Sequence, residues 1–421
     1  MFALHKTGIL IATIASIVAA GSYTTLAGLL ITRFSIDLGW TAATVSVGVA
    51  LNMLLYGVTA PFALILMDRY GIRLVSIAAM LLLLIGSLVC LWPNAVGFNL
   101  AWGLLIGLGT GCLTMAYGAY IARLWFPRAI GTVSGALTAA AVVGQFALLP
   151  LWTWLMARYG WQAPIIGCAT LTMAAIAANL IWMREEGMRE EGMHEQGMHE
   201  EGAVETGRPD APPPLAAAVG DVVVNLLRFM RSRPFWILVL LFLICGATTN
   251  GIMWSHFTPA VVDCGITVEM ASIVLALIGI FNVACTMAAG WLADRMSSRI
   301  ILMAVFLGRA LTLLWLPLIF WGAFEGQLVV FGIIFGMLDV ATVPPVIVLC
   351  NRVFGRNGAI VFGWVNAFHQ LGAGGMALIG AHIRVQAGSY DPLWFATGII
   401  AMAAAGLVFL DRYDARQEQA S

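Results

Sequence analysis

Charge is what this chain has least of. Asp, Glu, Lys and Arg make up 10% of its 421 residues, whereas water-soluble domains carry roughly 25%, so a soluble globular protein is excluded. Basic and acidic residues balance at 21 each, leaving a formal net charge of zero and no bulk attraction to nucleic acid. The seven cysteines (Cys90, Cys112, Cys168, Cys245, Cys264, Cys285 and Cys350) sit mostly inside apolar runs and form no Cys-x-x-Cys pair. They read as small buried packing residues, not as a disulfide framework or a zinc site. No nucleophile–base pair or metal-ligand cluster stands out, so neither an enzyme nor a cofactor is expected. Nucleotide-binding motifs are missing too. Gly103, Gly107 and Gly111 follow no strand and precede no lysine, which excludes a phosphate-cradling loop, and with it ATP-driven pumping. Their small-xxx-small spacing predicts close helix contact instead.

What the chain has is hydrophobic sequence, 61% of it. About 20 apolar residues cross a hydrocarbon core of roughly 30 Å. Apolar runs between charged or turn punctuation give six spans in the first half, at 8–32, 41–67, 74–93, 97–124, 130–157 and 161–183. Six more follow at 235–261, 266–293, 300–322, 327–353, 357–383 and 392–410. The first run is too long for a cleaved signal and is read as a span. Three regions are expected: an N-terminal half (1–183), a linker (184–234) and a C-terminal half (235–421). Tryptophans near span ends, among them Trp40, Trp92, Trp125, Trp161, Trp236 and Trp321, read as interfacial anchors.

One punctuation mark recurs. The second span ends in Asp68-Arg69-Tyr70-Gly71-Ile72-Arg73, and the eighth in Gly290-Trp291-Leu292-Ala293-Asp294-Arg295-Met296-Ser297-Ser298-Arg299. Each has Asp-Arg with a second Arg four positions after the first, between two hydrophobic spans. This is an internal repeat of half the molecule. With both termini cytoplasmic, only Arg33, Arg158 and Arg384 of the 21 basic residues fall in outer loops, and Arg309 lies deep inside a span. The positive-inside rule favours that orientation.

The linker repeats Glu-Glu-Gly-Met-Arg from Glu185, then varies it through His194 and His199 to Gly202. A five-residue step turns a helix by about 140° per repeat and builds no fixed face. Glycine in each unit makes it a solvated tether, its histidines solvated rather than ligating a metal. The segment Val222 to Arg233 is apolar with a basic end and reads as a helix on the cytoplasmic membrane surface.

Twelve spans, the Asp-Arg loop after span 2, its echo after span 8 and a long middle loop resemble the major facilitator superfamily, whose loop signature is Gly-x-x-x-Asp-Arg-x-Gly-x-Arg. The second copy supplies Gly290, Asp294 and Arg295. The first supplies Asp68, Arg69, Gly71 and Arg73, with Leu64 where the leading glycine belongs. The resemblance implies an all-α integral membrane protein of twelve transmembrane helices in two six-helix, pseudo-symmetric halves. At a second level, Asp37-Leu38-Gly39-Trp40, Phe368-His369-Gln370-Leu371-Gly372-Ala373 and Gly388-Ser389-Tyr390 are similar to the monocarboxylate porter and oxalate–formate exchanger branch. Carriers of that branch place an arginine in span 8 and the exchangers a lysine in span 11. This chain has neither there, having Asn282 and Thr286 in span 8. The resemblance implies a monomeric carrier of the plasma membrane, moving a small organic anion such as a monocarboxylate with protons by alternating access. The alternative is a proton-linked exporter of amphiphilic compounds.

Ionisable groups inside a span are costly and mark candidate sites. Arg309 in span 9 and Asp339 in span 10 are either a buried ion pair locking the two helices or a proton-carrying carboxylate with its counter-charge. His369 in span 11 is the other titrating candidate, and His256, near the outer end of span 7, a gate or an interfacial residue. Tyr23, Asn52, Tyr56, Tyr117 and Gln145 in the first half, with Asn250, Asn282, Asn366 and Gln370 in the second, are either solute contacts or helix–helix hydrogen bonds. The Asp-Arg loops (Asp68, Arg69, Gly71, Arg73; Gly290, Asp294, Arg295, Arg299) are expected to latch the halves. In this latch Asp68 accepts hydrogen bonds from the start of a span in the other half, and Leu64 weakens the contact.

Overall fold

The computed structural model describes residues 2–40, 42–183, 220, 224–322 and 325–410. Most of the expected linker, including the histidine–glutamate repeat, lies outside the described residues. Among the described residues all regular structure is helical. Spans 1 to 6 are Phe2–Asp37, Ala42–Tyr70, Ile72–Cys90, Ala95–Trp125, Ile130–Tyr159 and Gln162–Trp182. Spans 7 to 9 are Arg233–Asp263, Val268–Ala293 and Ser298–Gly322. Span 10 comes in two pieces, Glu325–Asp339 and Val343–Phe354, followed by span 11 (Gly358–Ala387) and span 12 (Asp391–Leu410). Large apolar side chains such as Leu88, Leu378 and Ile399 are more than half exposed, which in a protein of this composition is a lipid-facing surface. The anchor expectation divides: Trp92, Trp236 and Trp321 are exposed, whereas Trp125 and Trp161 are buried. Trp161 packs edge-on to Phe34 at 5.1 Å, inside the first half's core.

Spans 2 and 3 are joined through Gly71 alone, at φ 90, a conformation that a side chain disfavours. Span 4 meets span 2 as its spacing predicts. A Cβ on Gly103 would lie 2.8 Å from Leu51, and one on Gly111 2.8 Å from Thr59. Spans 4, 5 and 7 are each interrupted by a π-helical turn, at Ala101–Ile106, Val143–Ala147 and Asn250–Trp254. Such turns add a residue to the helical ring and concentrate at functional sites.

The two halves touch along two seams at the end of the molecule carrying the Asp-Arg loops. Span 5 meets span 8 where Gly131 and Gly135 lie against Gly290. A Cβ on Gly131 would come 2.5 Å from the Gly290 carbonyl oxygen, so only glycine allows that approach. Span 2 meets span 11 through Phe62 and Trp364 (ring centroids 5.8 Å apart), through Pro61 against Gly363, and through Gly57 against Gln370.

Candidate functional site

The latch forms at one of the two loops. The Asp294 carboxylate accepts from the Gly131 N–H (2.6 Å), the Thr132 N–H (2.7 Å) and the Thr132 hydroxyl (2.6 Å). It thereby caps the start of span 5 in the opposite half, where free N–H groups and the helix dipole favour an anion. Asp68 departs from expectation: its carboxylate accepts from the Tyr120 hydroxyl of span 4, within its own half. Gly290 lets the span 5 backbone approach, whereas the corresponding position of the first loop carries the fully buried Leu64. The arginines keep the pseudo-symmetry. Arg73 donates to the Leu180 carbonyl near the end of span 6, and Arg299 to the Val408 and Phe409 carbonyls near the end of span 12. Both satisfy carbonyls that a helix end leaves without partners. Arg69 and Arg295 lie over the rings of Tyr70 and Trp291.

The second centre follows from Pro344-Pro345. Prolines lack N–H groups, so the Val340 and Ala341 carbonyls four residues before them have no helical partner, and a helix that ends ahead of them leaves the carbonyls of its own last turn unpaired. Span 10 accordingly breaks at 340–342, and the Val343 N–H turns back to the Val340 carbonyl. The carbonyls of Leu338 and Asp339, at the negative end of the first piece, are taken up by Arg309 from span 9. Its Nη2 donates to both, at 2.8 and 2.6 Å. Its Nη1 donates to the Cys245 thiol (3.3 Å) and the Thr248 hydroxyl (3.4 Å) of span 7, and its Nε is unpartnered. Arg309 is fully buried.

The expected ion pair therefore takes another form. The guanidinium contacts Asp339 through its main-chain carbonyl, because the broken helix presents unsatisfied acceptors that compete for it. The Asp339 carboxylate accepts instead from Asn282 Nδ2 of span 8 at 2.8 Å, while Asn282 Oδ1 accepts from the Val340 N–H at 3.1 Å. The other carboxylate oxygen, Oδ1, is buried without a partner. Thr342 meets the Cys245 thiol at 3.2 Å, and His369 of span 11 packs against Gly246, the residue after Cys245, where a Cβ would come 3.1 Å from its ring. Its Nδ1, like Asn366 Nδ2 three residues earlier, is buried and unpartnered. Five spans thus meet around one break.

The other candidates separate by what they bond. The Tyr23 hydroxyl meets Ser87 (2.9 Å) and Thr172 (3.2 Å), and Asn52 donates to the Trp102 carbonyl (2.9 Å). His256 Nε2 bonds the Ala377 carbonyl at 2.9 Å. All three join helices within one half. Tyr117 is fully buried in the first half, and Tyr56 is half-buried on span 2. Gln145 accepts from the Thr25 hydroxyl through its main-chain carbonyl. Gln370 sits on the seam with Gly57, and Asn250 accepts from the Trp254 indole N–H at 3.1 Å. Sequence reasoning missed Cys245, Thr248 and Thr342. The Pro-Pro pair five residues beyond Asp339 was the signal that a broken helix, needing outside partners, stood there.

An all-helical chain with lipid-facing apolar surfaces, two six-helix halves and a polar centre inside them is an integral membrane carrier, not an enzyme. The model of the Major Facilitator Superfamily matches residues 12–377 and 243–420, and the chain belongs to that family. It is 26% identical over 308 residues to the uncharacterized MFS-type transporter YcxA of Bacillus subtilis, covering 71% of this chain and 69% of YcxA. A shorter match, 28% over 148 residues, covers 34% of this chain and 27% of the multidrug resistance protein B homolog of Mycobacterium tuberculosis. Among solved structures, the proton:xylose symporter XylE superposes with a TM-score of 0.73 at 14% identity, over 97% of this chain and 96% of XylE. The E. coli fucose:proton symporter FucP gives 0.66 at 13% identity, over 95% and 97%. These last two show the shared fold.

Proposed function

We infer that this protein is a proton-linked secondary transporter in which the halves 1–183 and 235–421 rock about a central site, with Asp339 carrying the proton. The carrying observation is the buried Asp339 Oδ1, which has no hydrogen-bond partner. A carboxylate held on one oxygen by Asn282 and open on the other has a place for a proton. Arg309, bound to carbonyls on either side of the peptide, positions the residue. The symporter names of two structural neighbours agree with proton coupling, and the positive-inside bias with an orientation in the plasma membrane that puts both termini and the Asp-Arg end in the cytoplasm. The carrier is read as a monomer, since both halves of the rocking unit belong to one chain.

For the solute, the geometry favours a neutral or cationic amphiphile over a monocarboxylate. Both Nη groups of Arg309 are committed to protein acceptors, so the cation deep in a span is not free to pair with a carboxylate. The partial match to a multidrug resistance protein homolog points the same way. Reconstituted vesicles under an imposed proton gradient test both statements. Wild type should move cationic amphiphiles in preference to monocarboxylates, and Asp339→Asn should abolish proton-driven flux while still reaching the membrane. Undiminished proton-driven flux in that variant would remove Asp339 from the mechanism, and gradient-driven monocarboxylate accumulation would restore the anion reading.

A further inference from the structure

Phe146 and Trp254 stack face to face across the two halves, centroids 4.3 Å apart and planes 12° from parallel. Phe146 stands on the π turn of span 5 and Trp254 on that of span 7. Of the contacts between halves described above, this one lies furthest from the Asp-Arg end. From Ile130, 16 residues of span 5 rise about 24 Å to Phe146, just past the middle of a span roughly 45 Å long. Between that level and the Asp-Arg end the halves are already joined by the span 5–span 8 and span 2–span 11 seams. Each ring is held from its own half. Trp254 donates its indole N–H to Asn250 one turn back. The turn bearing Phe146 is seated on span 1, since a Cβ on Gly144 would come 2.5 Å from the Val18 carbonyl oxygen. Below Phe146 stands Gly279 of span 8, whose Cβ would meet the Phe146 side chain at 3.5 Å, an ordinary contact.

We propose that Phe146 and Trp254 form the gate closing the solute path on the side away from the Asp-Arg end, with the two π turns as its hinges. A π turn carries one residue more than the helix needs, and its return to α geometry shifts the register by one residue, a rotation of about 100°, which swings its aromatic ring aside. The pair shields what lies beneath it only while the halves are together. Opening that side separates the rings while the Asp294 latch keeps the other end shut. The proposal rests on the alternating-access reading but not on Asp339 or on any solute.

The test reads accessibility in the full-length protein. Gly279→Cys, which the contact distance accommodates, is placed in wild type, Phe146→Ala, Trp254→Ala and the conservative Trp254→Phe. A membrane-impermeant maleimide is applied to sealed vesicles of both orientations, and labelling is read at each cysteine by peptide mass. A Met296→Cys marker in the exposed second loop identifies the Asp-Arg side, so an error in the assumed orientation does not imitate failure of the gate. An aromatic pair is worth about 0.5–1.5 kcal/mol, so each alanine variant should label position 279 about 2- to 12-fold faster than wild type. The gain should appear only from the side opposite the marker, with Trp254→Phe near the wild-type rate. Unchanged labelling in both alanine variants would overturn the gate. So would a gain from the marker side, or an equal gain at the fully buried Cys350 of span 10, which would show general loosening.

Discussion

Replacing Asp294 by Asn keeps the shape of the latch and removes its charge. The wild-type carboxylate accepts three hydrogen bonds, two of them from backbone N–H groups at the start of span 5. Hydrogen bonds to a charged acceptor contribute about 1.5–3 kcal/mol against about 0.5–1.5 for neutral pairs, and a carboxylate at a helix N-terminus adds about 0.3–1 kcal/mol. In the Asp294→Asn variant one oxygen becomes an NH2 group facing an N–H donor, so at least one bond is lost and the others weaken. The closed state should lose about 2–4 kcal/mol, nearer the lower figure because the site is only partly buried. That corresponds to a shift of about 30- to 700-fold in the ratio of closed to open forms at this end. Spin labels at Arg128→Cys and Met296→Cys, on the two sides of the latch, measure it by double electron–electron resonance. Wild type should give one short distance, and Asp294→Asn a second, longer population. An unchanged distribution would refute the latch, since no other change in the variant compensates for the lost acceptor.

Asp68→Asn should shift the same distance far less, because Tyr120 lies in the same half as Asp68; an equal effect would mean that Asp68 also holds the halves together. Arg309→Lys should lower thermal stability in detergent, since one ammonium cannot serve two carbonyls, a thiol and a hydroxyl on opposite sides. Each acceptor left unbonded costs about 1–3 kcal/mol, and a melting temperature equal to wild type would show that the break in span 10 needs no outside partner. Asp339→Asn separates coupling from folding: normal membrane insertion with lost proton-driven flux is the expected pair of results.

The fold was legible almost throughout because the solvent imposes it. In hydrocarbon every backbone N–H and C=O must be satisfied within the chain, so a long apolar run is a helix whatever its neighbours are. Span 10 is the exception that tests this. Its apolar run looked continuous, yet Pro344 and Pro345 end the first piece at Asp339, and Arg309 of span 9 takes the Leu338 and Asp339 carbonyls left at that end while Asn282 of span 8 bonds the Asp339 carboxylate and the Val340 N–H. The run also joins span 11 in one hydrophobic stretch from Glu325 to Ala387, which the turn around Gly355 divides.

Sequence by itself determined the apolar spans and their repeat in two halves, and singled out Arg309, Asp339, Asn282 and His369 as residues to watch. It did so because ionisable and strongly polar groups in an apolar background are rare and expensive, hence visible. Only the tertiary structure decided what those residues bond to. Both Asp-Arg loops read as latches, but the Asp68 carboxylate accepts from Tyr120 within its own half, while Gly290 lets Asp294 reach span 5 of the other. Arg309 and Asp339 read as a charge pair, but unpaired carbonyls at a proline break took the guanidinium and left a carboxylate oxygen open. The Phe146–Trp254 stack left no trace in the one-dimensional pattern, because two aromatics 108 positions apart (254 − 146) meet only where two separately folded halves close on each other.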